Sequence, residues 1–147
     1  MIHTASLLHD DVIDMSDIRR GVASVNSSFG NKLAVLAGDF LLSRASVNLA
    51  RLRSLETMEL LSVVIEQLVK GEVLQISGPP TSGDHAAFDY YLKKNYYKTG
   101  SLMANSCKAE ALLADCDEEI QNICFQYGKH IGLAFQLVDD LLDYTGL

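Results

Sequence analysis

The chain has 147 residues, a net charge of −7, and 48% apolar against 21% charged residues. Such a length and apolar share support one domain with a core and exclude a disordered chain. The acidic balance excludes a nucleic-acid partner, which calls for a basic surface.

Two prolines, abundant Leu and Ala and only short β-branched runs predict an all-α domain over 1–147 with no internal boundary. Residues 1–18 have helical character, with Ile2, Leu7, Leu8, Val12, Ile13 and Ile18 as an apolar background. "RRGVASVNSSFGN" is a turn-rich connector. Residues 31–53 form a helix with Leu33, Leu36, Phe40, Leu41 and Val47 apolar; residues 55–76 form another on Leu60, Leu61, Val64, Leu68 and Val69. "SGPPTSGD" (77–84) is a loop, a helix starts near Ala86, and another passes through "KTGSLMANSCKAEALLA". Asp117 is the expected N-cap of a last helix reaching about Tyr144, with Glu118 and Glu119 at its positive end. Cys107, Cys116 and Cys124, odd in number, read as reduced thiols. No apolar run reads as long enough for a membrane span of roughly 18 residues.

The chemistry concentrates in two places. In "HDDVIDMSDIRRG", Asp10, Asp11 and Asp14 stand at i, i+1 and i+4. On a helix turning about 100° per residue, His3, Asp10 and Asp14 form one polar stripe. Like charges at that spacing repel, and burying them costs far more unless something neutralises them. A hard divalent cation resolves both, because Mg²⁺ takes oxygen ligands and uses one or two carboxylates together with substrate phosphate. Arg19 and Arg20 then read as partners for phosphate rather than for these acids. The bland alternative is a solvated acidic face paired with the two arginines; a calcium loop lacks the alternating acids and closing Glu.

"GLAFQLVDDLLD" repeats the pattern near the other end. Gln136, Asp139, Asp140 and Asp143 are related by i, i+3 and i+4 steps in an apolar helix. Two such clusters facing each other would clamp a diphosphate through metal ions and help it leave as an anion. Between them, "YYKTGSL" supplies Lys98 as a point charge, Thr99 as a hydroxyl donor, and Gly100 for close backbone approach. Alone, Lys98 reads as a surface lysine and Gln136 as a core hydrogen-bonding residue.

Taken together, these residues resemble the trans-isoprenyl diphosphate synthases, the polyprenyl synthetase family. Its first motif, DDxxDxxxxRRG, is matched by Asp10, Asp11, Asp14, Arg19, Arg20 and Gly21. Its second, GxxFQxxDDxxD, is matched by Gly132, Phe135, Gln136, Asp139, Asp140 and Asp143, and its KT pair by Lys98 and Thr99. The run "MIHTASLLHDDVID" looks most like the long-chain synthases of the ubiquinone side chain.

The resemblance implies an antiparallel helical bundle of the isoprenoid synthase type. It also implies that isopentenyl diphosphate condenses with an allylic diphosphate (geranyl, farnesyl or geranylgeranyl) by Mg²⁺-assisted ionisation to a long-chain all-trans product. In it, Asp10, Asp11, Asp14, Asp139, Asp140 and Asp143 are the catalytic, metal-binding acids. Arg19, Lys98 and Gln136 contact the allylic diphosphate with Thr99 nearby, while Arg20 and His3 contact isopentenyl diphosphate. Further implications are a homodimer or a heteromer with a related subunit, peripheral membrane association for product release, and a mitochondrial, matrix-side location. The growing chain would run back along the first helix past Ala5 and Ser6, about 6–7.5 Å from Asp10. Their small size predicts a long product.

The family's upstream Gly-Lys-x-x-Arg segment and downstream lysine are absent, so a partial domain, truncated at both ends and with exposed apolar faces, is expected. Two competing readings are a class I terpene cyclase or squalene-synthase-like enzyme, which would not consume isopentenyl diphosphate, and a non-catalytic subunit.

Overall fold

The structure, a computed structural model, describes residues 1–79 and 84–146. Contacts group them into two compact units, Met1–Ser54 and Leu55–Leu147.

The first unit consists of α1 (Ile2–Ile13), a two-stranded hairpin of β1 (Ile18–Arg19) and β2 (Val22–Ala23), a short α2 (Val25–Phe29) and α3 (Asn31–Arg51). The helix expected over 1–18 stops at Ile13. Asp14 is its C-cap, and Met15 follows with φ 52°. The connector expected after it is structured. Ile18 pairs with Ala23 and Arg19 with Val22, antiparallel. Arg20 (φ 51°) and Gly21 (φ 80°) are the two-residue loop, the positive-φ pair that suits the right-handed twist of a tight hairpin. Ser24 caps α2 by accepting from the Ser27 amide at 3.3 Å and donates to Ser16 O at 2.7 Å. Asn26 Nδ2 donates to the carbonyls of Asp11 (3.2 Å) and Ser16 (3.1 Å), tying α2 back to the end of α1.

On α3 the buried face is Ala34, Gly38 and Ala45. Leu33, Leu36, Phe40 and Val47, expected as the apolar face, are exposed. The reason is close approach: a Cβ on Gly38 would lie 2.2 Å from Nε2 of His9, so α1 packs on α3 where side chains are smallest. His9 Nε2 lies 3.2 Å from Val35 O and 3.4 Å from Asp39 Oδ1. By length and composition α3 could cross a membrane, with an 18-residue window of mean hydropathy 1.3. That corrects the sequence expectation of no such run; core helices of soluble proteins pass the same test.

The second unit consists of α4 (Leu55–Ser77), α5 (Asp84–Asn95), a π-helical turn (Tyr96–Gly100), α6 (Ser101–Leu113) and α7 (Glu118–Thr145). Of the loop expected over 77–84, residues 80–83 lie outside the described residues. Asp117 caps α7, its carboxylate accepting from the Ile120 amide at 2.9 Å, with Glu118 and Glu119 in the first turn. Small residues again make the contacts. Thr57, Val64 and Gly71 are the buried positions of α4, two heptads in register. Gly128 and Gly132 are those of α7, while Leu137, Leu141 and Leu142 are exposed. A Cβ on Gly128 would lie 2.5 Å from Met103 O, and one on Gly132 2.7 Å from Gly100 Cα. Gly100, read from the sequence as permitting close backbone approach, is buried and takes that approach from α7. Cys107, Cys116 and Cys124 carry free thiols, and burial pushes that of Cys107 up.

Candidate diphosphate site

In the first unit the three aspartates part company. Asp14 lies just past the end of α1 but stays one turn above Asp10, its amide bonded to Asp10 O at 2.8 Å. Asp14 is exposed, Asp10 partly buried, and His3 exposed. The predicted stripe thus survives, with Asp14 at its edge. Asp11 is on another face and 3% exposed. Its Oδ1 receives Arg19 Nε at 2.7 Å and Nη2 at 2.6 Å. The sequence reads Arg19 as a partner for phosphate rather than for these acids; in this structure the hairpin returns it onto Asp11. The hydrogen bond to Asp11, then its charge, raises the guanidinium above its ordinary pKa despite burial. Arg20 is exposed at the hairpin tip. Ala5 is fully buried, and Ser6, partly exposed, donates to His3 O at 2.9 Å.

In the second unit the π turn delivers the KT pair. The sequence expectation puts Lys98–Gly100 inside the second of two helices, the one that follows the helix from about Ala86. These residues lie instead in a wide turn between α5 and α6, a local feature that often marks functional positions. Gly71 lets α4 press against it: a Cβ there would lie 3.0 Å from the Lys98 amide nitrogen. Lys98 is not a loose surface lysine. Its side chain is 22% exposed and Nζ lies 2.6 Å from Glu72 Oε1 and 2.8 Å from Gln75 Oε1. Thr99 Oγ1 donates to Gln136 Oε1 at 3.2 Å, and Gln136 Nε2 donates to Asp140 Oδ1 at 3.1 Å. The second oxygen of Asp140 accepts from the Tyr91 hydroxyl of α5. Burial, followed by the bond to Asp140, pushes Tyr91 up to about 12. Asp139 and Asp143 are exposed one turn apart on α7.

Glu72, Gln75 and Tyr91 escaped the sequence reading. A signal existed for Glu72, a lone acid inside the apolar "VKGEVLQ". None existed for Tyr91, whose partner is far along the chain.

Among the described residues no three His, Cys, Asp or Glu side chains form a ready-made cation cage. Asp11 is taken by Arg19, and Asp140 by Tyr91 and Gln136. The pairs Asp10/Asp14 and Asp139/Asp143 do fit a hard cation that takes one or two carboxylates and completes its shell with water and phosphate.

Comparison with known proteins covers the whole chain. The polyprenyl synthetase family matches residues 1–147. The chain is 56% identical over 146 residues to the mitochondrial solanesyl-diphosphate synthase 1 of Oryza sativa subsp. japonica, covering 99% of this chain and 34% of that protein. It therefore spans about a third of that relative's length. A decaprenyl diphosphate synthase from Rhodobacter capsulatus superposes with a TM-score of 0.92 at 37% identity, over 97% of this chain and 43% of the other. A polyprenyl synthase from Caulobacter crescentus, complexed with calcium and isoprenyl diphosphate, does so with a TM-score of 0.90 at 39% identity, over 98% and 43%.

Proposed function

This chain belongs to the polyprenyl synthetase family, and on that premise we propose that its residues handle the two diphosphates in the synthesis of a long-chain all-trans polyprenyl diphosphate. The observation that carries the reading is the hydrogen-bonded run Thr99–Gln136–Asp140. It joins the KT pair to the second aspartate-rich motif, residues distant in sequence that a diphosphate contact would need together. The substrates are an allylic diphosphate and isopentenyl diphosphate. Both units belong to one isoprenoid synthase domain, as the family match over the whole chain supports.

Asp10 with Asp14 in the first unit, and separately Asp139 with Asp143 in the second, would each hold a divalent cation, Mg²⁺ in this reading; the calcium in the Caulobacter crescentus structure supports a divalent ion. When bound, the cation neutralises charge on the departing diphosphate. The chain's own groups do the remainder. Lys98, held by Glu72 and Gln75, brings a positive charge to the π turn, and Thr99 a hydroxyl donor. Arg20 offers an exposed guanidinium from a hairpin whose turn is held by Gly21. His3 stands about two turns before Asp10 on the same helical face. No nucleophilic side chain is required, since the π electrons of isopentenyl diphosphate form the new C–C bond and the proton leaves to the diphosphate. The mitochondrial name of the rice relative supports a mitochondrial location.

The test is Mg²⁺-dependent incorporation of labelled isopentenyl diphosphate onto farnesyl diphosphate by the 147-residue chain. Asp10→Ala and Asp139→Ala are expected to lower it by orders of magnitude with helicity unchanged. Near-normal rates in both variants, or no incorporation by the folded unsubstituted chain, overturn the reading. For product length, Ser6→Phe is the variant of choice because Ala5 is fully enclosed. Shorter products are expected, and an unchanged length removes Ser6 from the path of the growing chain.

A further inference from the structure

Asp140 stands beside Asp139 in sequence, yet the two acids live in different surroundings. On a helix a single step turns the side chain by about 100°, so Asp139 and Asp140 diverge by that angle, while Gln136 lies one turn before Asp140. Both carboxylate oxygens of Asp140 already accept protein hydrogen bonds: Oδ1 from Gln136 Nε2 at 3.1 Å and Oδ2 from the Tyr91 hydroxyl. The Gln136 amide oxygen accepts from Thr99 in turn. The run therefore links α5, α7 and the π turn, ending at the residue next to Lys98. Each member has one defined role. Tyr91 donates, Asp140 accepts twice, Gln136 donates with nitrogen and accepts with oxygen, and Thr99 donates. The amide orientation of Gln136 follows from Asp140, which only accepts when ionised.

We propose that Tyr91 is a positioning residue that locks Asp140 as a double acceptor, so that Asp140 orients Gln136 and Thr99 for the diphosphate and leaves cation binding in this cluster to Asp139 and Asp143. The proposal rests on the diphosphate reading of the site for its purpose, and on the hydrogen-bond geometry alone for its mechanism. Removing the Tyr91 hydroxyl frees one oxygen of Asp140 and loosens the whole run. Replacing Asp140 by Asn leaves a single acceptor oxygen for two donors, so one bond is lost at nearly constant shape.

The experiment compares the 147-residue chain with Tyr91→Phe, Asp140→Asn and Asp139→Asn by two measurements. Mn²⁺ binding in the presence of inorganic diphosphate is followed by electron paramagnetic resonance. Solvent exchange of the Gln136 side-chain amide is followed by nuclear magnetic resonance. Gln136 exchange is expected to accelerate by about tenfold in Tyr91→Phe and Asp140→Asn, the equivalent of one lost hydrogen bond, and to stay unchanged in Asp139→Asn. Mn²⁺ affinity should fall by about tenfold or more in Asp139→Asn and by less than about threefold in the other two. Unchanged Gln136 exchange in Tyr91→Phe overturns the positioning role. Loss of Mn²⁺ in Asp140→Asn as large as in Asp139→Asn overturns the division of labour. Absence of Mn²⁺ uptake by the unsubstituted chain counts against the diphosphate reading instead, and the exchange measurement still decides for or against Tyr91.

Discussion

Asp11 lies between Asp10 on its own helix and Asp14 at the C-cap, and has a fate unlike either. Its carboxylate is almost wholly buried and is satisfied by one guanidinium. A buried charge that loses its only strong partner keeps its desolvation cost and recovers nothing, so removing the partner hurts more than the pair itself contributes. Arg19 is itself about a third exposed, which moderates the effect. Arg19→Met is therefore expected to lower stability by about 2 kcal/mol in urea unfolding, with an unchanged dependence on denaturant concentration. A loss under about 0.5 kcal/mol would mean that Asp11 finds water or another donor at no cost. The same pair explains why a double arginine follows the acids. Arg19 and Arg20 are adjacent in a tight hairpin, so one turns in to Asp11 while the other stays at the tip.

At the level of elements, helices here meet through glycine and alanine, and the neighbour at each glycine decides what a methyl group would cost. On Gly128 the added carbon would meet Met103 O at 2.5 Å and Ala104 Cα at 2.8 Å, both backbone atoms that only a shift of α6 can move. On Gly38 it would meet the imidazole of His9, the end of a side chain that can swing away. Against each clash stands the roughly 1 kcal/mol that Ala gains over Gly inside a helix. Gly128→Ala is expected to destabilise by about 3 kcal/mol, and Gly38→Ala by less than about 1 kcal/mol, with loss of the His9 contacts to Val35 and Asp39. Thermal unfolding of the two variants side by side checks this, and equal midpoints would sink the distinction. The π turn belongs at this level too. It is the element that sets Lys98 toward α4 and Thr99 toward α7 from neighbouring positions.

For the molecule as a whole, the large apolar side chains are mostly on the outside. Leu36 and Phe40 on α3, and Phe135, Val138 and Leu141 on α7, are all more than half exposed. Exposed faces of this kind on successive helices favour association with other protein surface. Sedimentation of the chain is expected to show concentration-dependent self-association, and Leu36→Ser with Phe40→Ser is expected to shift it toward monomer at unchanged helicity. A monomer at every concentration would mean that these side chains are tolerated in water.

Periodicity, caps and spacing were enough to place the helices from α3 to α7 within a few residues, to name Asp117 as a cap, and to mark both aspartate-rich motifs and the KT pair. These features are local: a helix needs only its own run of residues, and a motif is defined by separation along the chain. The inward faces were not legible, because small residues allow helices to approach closely, and that preference depends on the opposing helix rather than on the apolar count. Nor was the end of α1 at Ile13, where a hairpin far enough along to be called a connector folds back to neutralise Asp11. Which aspartate is buried, which lysine is held, and which tyrosine closes the Gln136 run are decided by side chains brought together from distant positions. The chemistry of the acids was thus set in the sequence, while the separation of Asp11 as ion-pair partner and Asp140 as hydrogen-bond anchor from the exposed Asp14, Asp139 and Asp143 arises only when tertiary packing fixes which donors each carboxylate meets.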